Sequence, residues 1–207
     1  MTNQPELTRR SFIKGAAVMA AMIPLGSLLS ACAPTEENAS SAESGEAAST
    51  ILVAYYSAQG HTEAVAQTLI DELGADSFVI TPAQPYTRED LNYNDESSRV
   101  STEHLDENRH TELETITPDN FDSYETILIG YPIWWQEATW VINDFVSEND
   151  FSDKTVIPFC TSASSPLGES GTLLEELAGT GNWQEGMRFR SSVEEDEVRE
   201  WAQGLGL

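Results

Sequence analysis

The chain reads as an α/β domain in which a parallel sheet is covered on both faces by helices. Short apolar runs alternate with segments whose apolar residues recur at helical spacing. The first run is continuous rather than alternating, which suits a strand buried on both faces of a parallel sheet. Gly74, Asp122 with Ser123, and Gly179 supply turn residues where units must end or begin.

The elements follow in order. Residues 51–56, Ile-Leu-Val-Ala-Tyr-Tyr, form the first strand. Val65, Leu69 and Leu73, with Ala66 and Ile70 beside them, predict a helix over residues 61–73 that Gly74 closes. Residues 77–81 form a second strand and residues 126–131 a third. Val141, Ile142, Phe145 and Val146 make the apolar face of the next helix. Residues 155–160 form a fourth strand, although Pro158 cannot donate to a ladder. Leu173, Leu174 and Leu177 mark a helix stopped at Gly179. A weak strand over residues 187–189 and a helix carrying Val198 and Trp201 complete the chain. The second connection, residues 82–118, is polar and charged and much the longest. A connection of that length needs structure of its own; its middle, residues 95–110, is read as an exposed helix. No internal repeat or second domain is visible.

Upstream of the domain the chain reads Thr8-Arg9-Arg10-Ser11-Phe12-Ile13-Lys14, then runs apolar from Gly15 to Ala31, and reaches Leu29-Ser30-Ala31-Cys32. A basic start, an apolar middle and small residues before a break are the layout of an export signal. The apolar run is short for a membrane span and is interrupted by Pro24 and Gly26. The paired arginines resemble the twin-arginine export signal, which carries folded proteins. Leu-Ser-Ala-Cys resembles a bacterial lipobox, which implies lipidation of Cys32 as the new N-terminus. An uncleaved anchor, or a plain signal peptide with an incidental cysteine, are the other readings of the same stretch. Residues 33–50 hold almost no apolar bulk and cannot repay the entropy of ordering. The organisation is therefore an export signal over residues 1–31, a linker over 32–50 and a folded domain over 51–207, held at the extracytoplasmic face of the membrane by a lipid anchor.

The full chain has 207 residues, with 35 acids against 10 bases and a net charge of -25. Arg9, Arg10 and Lys14 belong to the leader, so the domain is more acidic still. Such a surface repels nucleic acid and anionic lipid, and suits a partner protein with a basic docking patch. A solvated surface that only aids solubility is the plainer reading. The two cysteines, Cys32 and Cys160, form neither a disulfide framework nor a C-x-x-C pair, and His61, His104 and His110 do not cluster with them, so no metal site is read. Cys160 ends an apolar strand, where a buried, inert thiol is the usual case.

Between the first strand and its helix lies Ser57-Ala58-Gln59-Gly60-His61-Thr62. In an open parallel sheet, ligands bind beyond the carboxyl ends of the strands. The loop supplies two hydroxyls, a flexible Gly60, and free N–H groups at a helix start, whose dipole favours an anion. It has no Lys or Arg. It matches neither the G-x-x-x-x-G-K-[ST] nor the G-x-G-x-x-G pattern. A helix cap with a turn glycine would look the same.

Tyr55-Tyr56-Ser57-x-x-Gly60-His61-Thr62 resembles the FMN phosphate loop of the flavodoxin family, commonly S/T-x-x-G-N-T, with His61 in place of the usual Asn. Gly130-Tyr131-Pro132-Ile133-Trp134-Trp135 resembles the G-Y-P-x-W motif of a bacterial branch of that family. Phe159-Cys160-Thr161-Ser162-Ala163-Ser164-Ser165 with Gly168 is similar to its F-x-T-S-x-x-S-x-x-G segment. The resemblance covers nearly all of residues 51–207. It implies a flavodoxin-like three-layer sandwich with five parallel strands in the order 2-1-3-4-5, and FMN as cofactor. Loop one would hold the phosphate. Pro132, Ile133, Trp134 and Trp135 would flank the isoalloxazine ring opposite residues 161–165. Either tryptophan would stack on the ring or pack in the core. Tyr86 resembles a position the family keeps near the flavin, but no role is assigned to it.

The leading functional expectation is single-domain electron transfer, with FMN carrying the redox chemistry. An FMN-dependent reductase of quinones or other small acceptors is the enzymatic alternative, with no catalytic residue assigned. A cofactor-free binding module is the alternative of another class. For the leader, replacing Arg9 and Arg10 by Lys should leave precursor in the cytoplasm, and Cys32→Ala should abolish lipidation. Cell fractionation and the mass of the membrane-bound form check both.

Overall fold

The computed structural model describes residues 49–207. The export signal, Cys32 and residues 33–48 of the linker lie outside the described residues. The elements are β1 (Ile51–Tyr55), α1 (His61–Leu73), β2 (Asp76–Val79), α2 (Arg99–Leu105), β3 (Thr126–Trp134), β4 (Glu137–Ala138), α3 (Asn143–Glu148), β5 (Thr155–Ser162), α4 (Ser170–Ala178), β6 (Asn182–Trp183), β7 (Met187–Arg190) and α5 (Glu195–Gly204). No helix among the described residues is long and apolar enough to cross a membrane.

The sheet runs β2-β1-β3-β5, and both β6 and β7 then pair with β5 in parallel. Counting the two short pieces as one edge strand gives the expected 2-1-3-4-5. β1 lies in register with β3 from Ile51↔Thr126 to Tyr55↔Gly130. The ladder begins one residue before β1, because the Thr50 carbonyl accepts from the N–H groups of Glu125 (2.8 Å) and Thr126 (3.1 Å).

The strand residues alternate between two cores. Leu52, Ala54, Tyr56, Ile127 and Ile129 pack with Val141 and Phe145 on one face. Val53, Tyr55 and Leu128 pack with Val65, Leu69 and Val198 on the other. β1 and the first part of β3 therefore have no polar face, which is why their sequences read as unbroken apolar runs. Gly130 is dictated by this packing: a Cβ there would run into the Phe159 ring of the neighbouring strand.

Pro158 explains the split edge. The Val156 carbonyl accepts from the Gln184 N–H at 2.9 Å, so Pro158, two residues on, faces the same edge without an N–H to give. The register changes across it, from Val156↔Trp183 to Phe159↔Met187, which leaves one extra residue on the edge strand. Gly186 sits at the break, where a side chain would strike the Pro158 carbonyl and ring.

Two expectations are corrected. β2 starts at Asp76 and ends at Val79, because among the described residues its only strand partner is β1 and its pairing stops with Tyr55↔Val79. α4 forms where its leucines place it and is stopped at Gly179; of the three, only Leu174 is buried, while Leu173 and Leu177 stand 51% and 42% exposed. The long connection forms a helix only over α2, and not an exposed one: Val100 and Ser101 are buried. Asp95 accepts from the Ser97 N–H and Ser98 caps the Ser101 N–H, so these side chains hold the preceding residues in turns and delay the helix to Arg99. The connection is closed at its base where Ala83 N–H meets the Glu112 carbonyl and Glu114 N–H meets the Thr81 carbonyl, both at 2.8 Å.

Gly130→Ala should lower unfolding free energy by about 1–3 kcal/mol, the scale of an overpacked core. Denaturant titration against wild type checks this.

Candidate functional site

The loops after β1, β3 and β5 emerge at one edge of the sheet and line a cleft of about 420 Å³. Ser57, Ala58, Gln59, His61 and Thr62 line one part of it. Pro132, Ile133, Trp134 and Trp135 come from β3 and its turn, and Thr161 and Ala163 from the end of β5. Gly60, Ser162, Ser164, Ser165 and Gly168 are not among its walls.

The loop after β1 is held open by its own backbone. Ser57 Oγ accepts the Gly60 N–H at 3.1 Å, and Gly60 adopts φ 87°, a left-handed conformation that suits glycine. The first bond of α1 runs from the Ala64 N–H to the Gly60 carbonyl at 3.0 Å. The N–H groups of His61, Thr62 and Glu63 therefore have no partner within the helix, and no side chain caps it. The Thr62 hydroxyl is not wholly free: it lies 2.8 Å from Thr161 Oγ1 and pins this loop to the end of β5. With Thr161 as donor, the Thr62 proton stays available to an anion.

The Ser162 side chain serves the scaffold instead. It donates to the Ser165 carbonyl and accepts from Arg188 Nε at 2.9 Å, while Arg188 Nη2 donates to the Ser162 carbonyl at 3.0 Å. Arg188 also pairs in register with Cys160. Its charge opposes the effect of burial on that thiol, but burial is larger and pushes the pKa up to about 12. Cys160 is therefore an inert thiol at neutral pH.

The aromatic part is built on a tight hairpin. Ile133 pairs with Ala138 and Trp134 with Glu137, and both turn residues, Trp135 (φ 47°) and Gln136 (φ 71°), are left-handed. Two-residue hairpins need this conformation and commonly use Asn-Gly. Trp and Gln adopt it at a cost of about 1–2 kcal/mol each. Trp135 gains a stack on His104 of α2, with centroids 4.3 Å apart and planes 11° from parallel. Trp134 sits among Trp140 (5.0 Å), Tyr86 (5.5 Å) and Tyr56 (6.0 Å). Both tryptophans thus line the cleft, and Trp134 also packs on the core.

Four further wall residues, Leu91, Tyr93, Val100 and Ser191, were not read from sequence. Three belong to the long connection, where the only signal was an apolar residue in a polar stretch. The residue that fastens this connection was also missed. Glu103 accepts from Tyr86 Oη (2.5 Å), Trp140 Nε1 (2.9 Å) and Arg99 Nε (2.7 Å). Burial first, and the bond to Glu103 second, push the Tyr86 hydroxyl up to about 12. Arg109 adds a second tie, reaching Glu137 at 2.8 Å. The His104 Nδ1 is buried without a hydrogen-bond partner among the described residues.

Residues 50–205 match the family model described as flavodoxin. The chain is similar to a candidate flavoprotein of Bacteroides eggerthii, at 38% identity and a TM-score of 0.68 over 76% of this chain and 98% of that one. A candidate flavoprotein of Bacteroides uniformis shows 35% identity and a TM-score of 0.69 over 75% and 99%. A flavoprotein of Lactobacillus acidophilus, solved in complex with FMN, shares the fold at 21% identity and a TM-score of 0.51 over 73% and 97%. Among curated proteins, none matches the chain.

Glu103→Ala should cost about 1–3 kcal/mol, because it leaves the Tyr86 hydroxyl and the Trp140 N–H without their acceptor. Glu103→Gln, whose amide oxygen still accepts, should cost less. Equilibrium unfolding of both variants followed by tryptophan emission tests the ranking.

Proposed function

Because the chain belongs to the flavodoxin family, we propose that it binds FMN in this cleft and acts as an electron-transfer protein at the extracytoplasmic face of the membrane. The observation that carries the reading is the union, in one cleft, of an uncapped helix N-terminus and a wall of two tryptophans. The first suits a phosphate and the second a planar aromatic ring. A volume of about 420 Å³ falls in the range of small-molecule sites.

The residues divide the work. The N–H groups of His61, Thr62 and Glu63, with the hydroxyls of Ser57 and Thr62, would hold the phosphate. Trp134 and Trp135 would flank the ring, and the backbone at Thr161 and Ala163 would meet its polar edge. FMN supplies the one- and two-electron chemistry when bound. With 35 acids against 10 bases, the surface would steer a basic partner protein by long-range attraction. The twin-arginine and lipobox resemblances support export of the folded, loaded protein and its tethering through Cys32.

The purified protein should be yellow and release FMN, not FAD, on denaturation. Ser57→Ala combined with Thr62→Ala should weaken FMN binding by about 1–3 kcal/mol, as for lost charge-assisted hydrogen bonds. Absorbance and fluorimetric titration read both, and a colourless protein that takes up no added FMN would overturn the cofactor assignment.

A further inference from the structure

β2 is an edge strand whose outer side is only partly covered. The Ile80 N–H reaches back to the Tyr55 carbonyl at 2.8 Å, so the alternate residues Ser77 and Val79 turn their backbone groups away from β1. Two residues on, the outward carbonyl of Thr81 is met by the Glu114 N–H at 2.8 Å. The antiparallel pairing around Pro82↔Leu113 would next set residue 116 against Val79, and among the described residues it stops short of that. Ile116 packs on the core instead, and its carbonyl accepts from Asn149 Nδ2 at 3.1 Å, a buried side chain. The connection is thereby drawn off the strand. The Val79 carbonyl meets the Thr81 hydroxyl at 3.2 Å, and no backbone group among the described residues answers Ser77 or the Val79 N–H on this side.

Beside this edge lies a groove of about 620 Å³. Asp76, Ser77 and Phe78 of β2 and residues 115 and 117–120 of the connection line it, with Leu52 and Tyr124. Its charged groups are two carboxylates: Asp76, which also accepts from the Tyr124 hydroxyl at 2.9 Å, and Asp119. An unpaired strand edge accepts a further strand, and two carboxylates with no Lys or Arg beside them select its charge. A second copy of β2 would bring another Asp76, and linker residues 33–48 carry Glu36, Glu37, Glu43 and Glu46 with no base, so neither complements the groove.

We propose that this groove takes an extended, basic peptide segment of a partner protein, which pairs with β2 through Ser77 and Val79 and sets Lys or Arg side chains against Asp76 and Asp119. The groove lies by the amino ends of β1 and β2, whereas the cleft lies beyond the carboxyl ends of the strands. The two sites are therefore filled independently, and the inference does not rest on the FMN reading.

The probe is the fluorescein-labelled, C-amidated heptapeptide Lys-Val-Lys-Val-Lys-Val-Lys, titrated into the full protein and read by anisotropy. Saturable binding is expected, and none for the same peptide with Glu in place of Lys. Ser77→Pro removes an outward N–H while leaving the pairing with β1, and should weaken binding about tenfold. Ser77→Ala keeps that N–H and should bind as wild type does. Asp76→Asn with Asp119→Asn should weaken binding about fivefold. The Lys peptide N-methylated throughout its backbone should not bind wild type, which tests strand pairing even where Ser77→Pro does not fold. No saturable binding, equal affinity for the Glu peptide, or full affinity for the N-methylated peptide would overturn the site, the last by showing plain attraction to an acidic surface. A dimer that Ser77→Pro dissolves would assign the edge to a second copy and overturn it too.

Discussion

Parallel pairing is the constraint from which the site follows. In a parallel sheet every strand delivers its carboxyl end to the same edge, so whatever follows β1, β3 and β5 must converge there. The in-register ladders from Ile51↔Thr126 to Tyr55↔Gly130, and from Thr126↔Thr155 to Pro132↔Thr161, fix how far each loop projects. Two close contacts then set the floor. Gly130 lets the Phe159 ring lie against the backbone, and the Thr62–Thr161 hydroxyl pair joins the first loop to the end of β5. These contacts are buried and local, so the floor of the cleft is a property of the core rather than of flexible loops.

The electrostatics of the cleft are set by dipoles rather than by charges. The described part of the chain is strongly acidic, and no Lys or Arg lines the cleft. Arg188, whose guanidinium reaches the end of β5, is spent on Ser162. An anion at the start of α1 would therefore rely on oriented N–H groups, which act over one turn and repay only a ligand that fits against them. That arrangement keeps the outer surface negative while the cleft stays selective by geometry.

How much of this was legible in the sequence depended on how local the deciding interaction was. α1 reads from its own periodicity and ends at the predicted Gly74, which adopts a left-handed cap. The three loop motifs could be placed because each follows an apolar run. The split of the edge strand at Pro158 was visible as a difficulty, but its resolution depends on the neighbouring Gly186. Leu173, Leu174 and Leu177 placed α4 and its end at Gly179, although two of them stay exposed: apolar spacing shows that a helix has an apolar face, not that the face is covered. Glu103 was illegible in principle. One acid in a stretch rich in acids carries no local mark, and its three donors, Tyr86, Arg99 and Trp140, come from as many as 37 residues away.

The same carboxylate accounts for how a long polar connection becomes a wall of the site. Residues 82–118 contribute few buried apolar groups, among them Val100 and Leu113, too few to dock by burial alone. Glu103 and Arg109 supply the missing fastening, and both act on the aromatic cluster: Glu103 through Tyr86 and Trp140, Arg109 through Glu137 of the hairpin and the Trp140 face, 4.9 Å from its guanidinium carbon. The left-handed Trp135–Gln136 turn makes sense in this setting. A relaxed Asn-Gly turn would remove the backbone strain and also remove the ring that meets His104. The strain at the turn and the stack on α2 are therefore one device, which fixes the hairpin and the connection against each other where the tryptophans face the cleft.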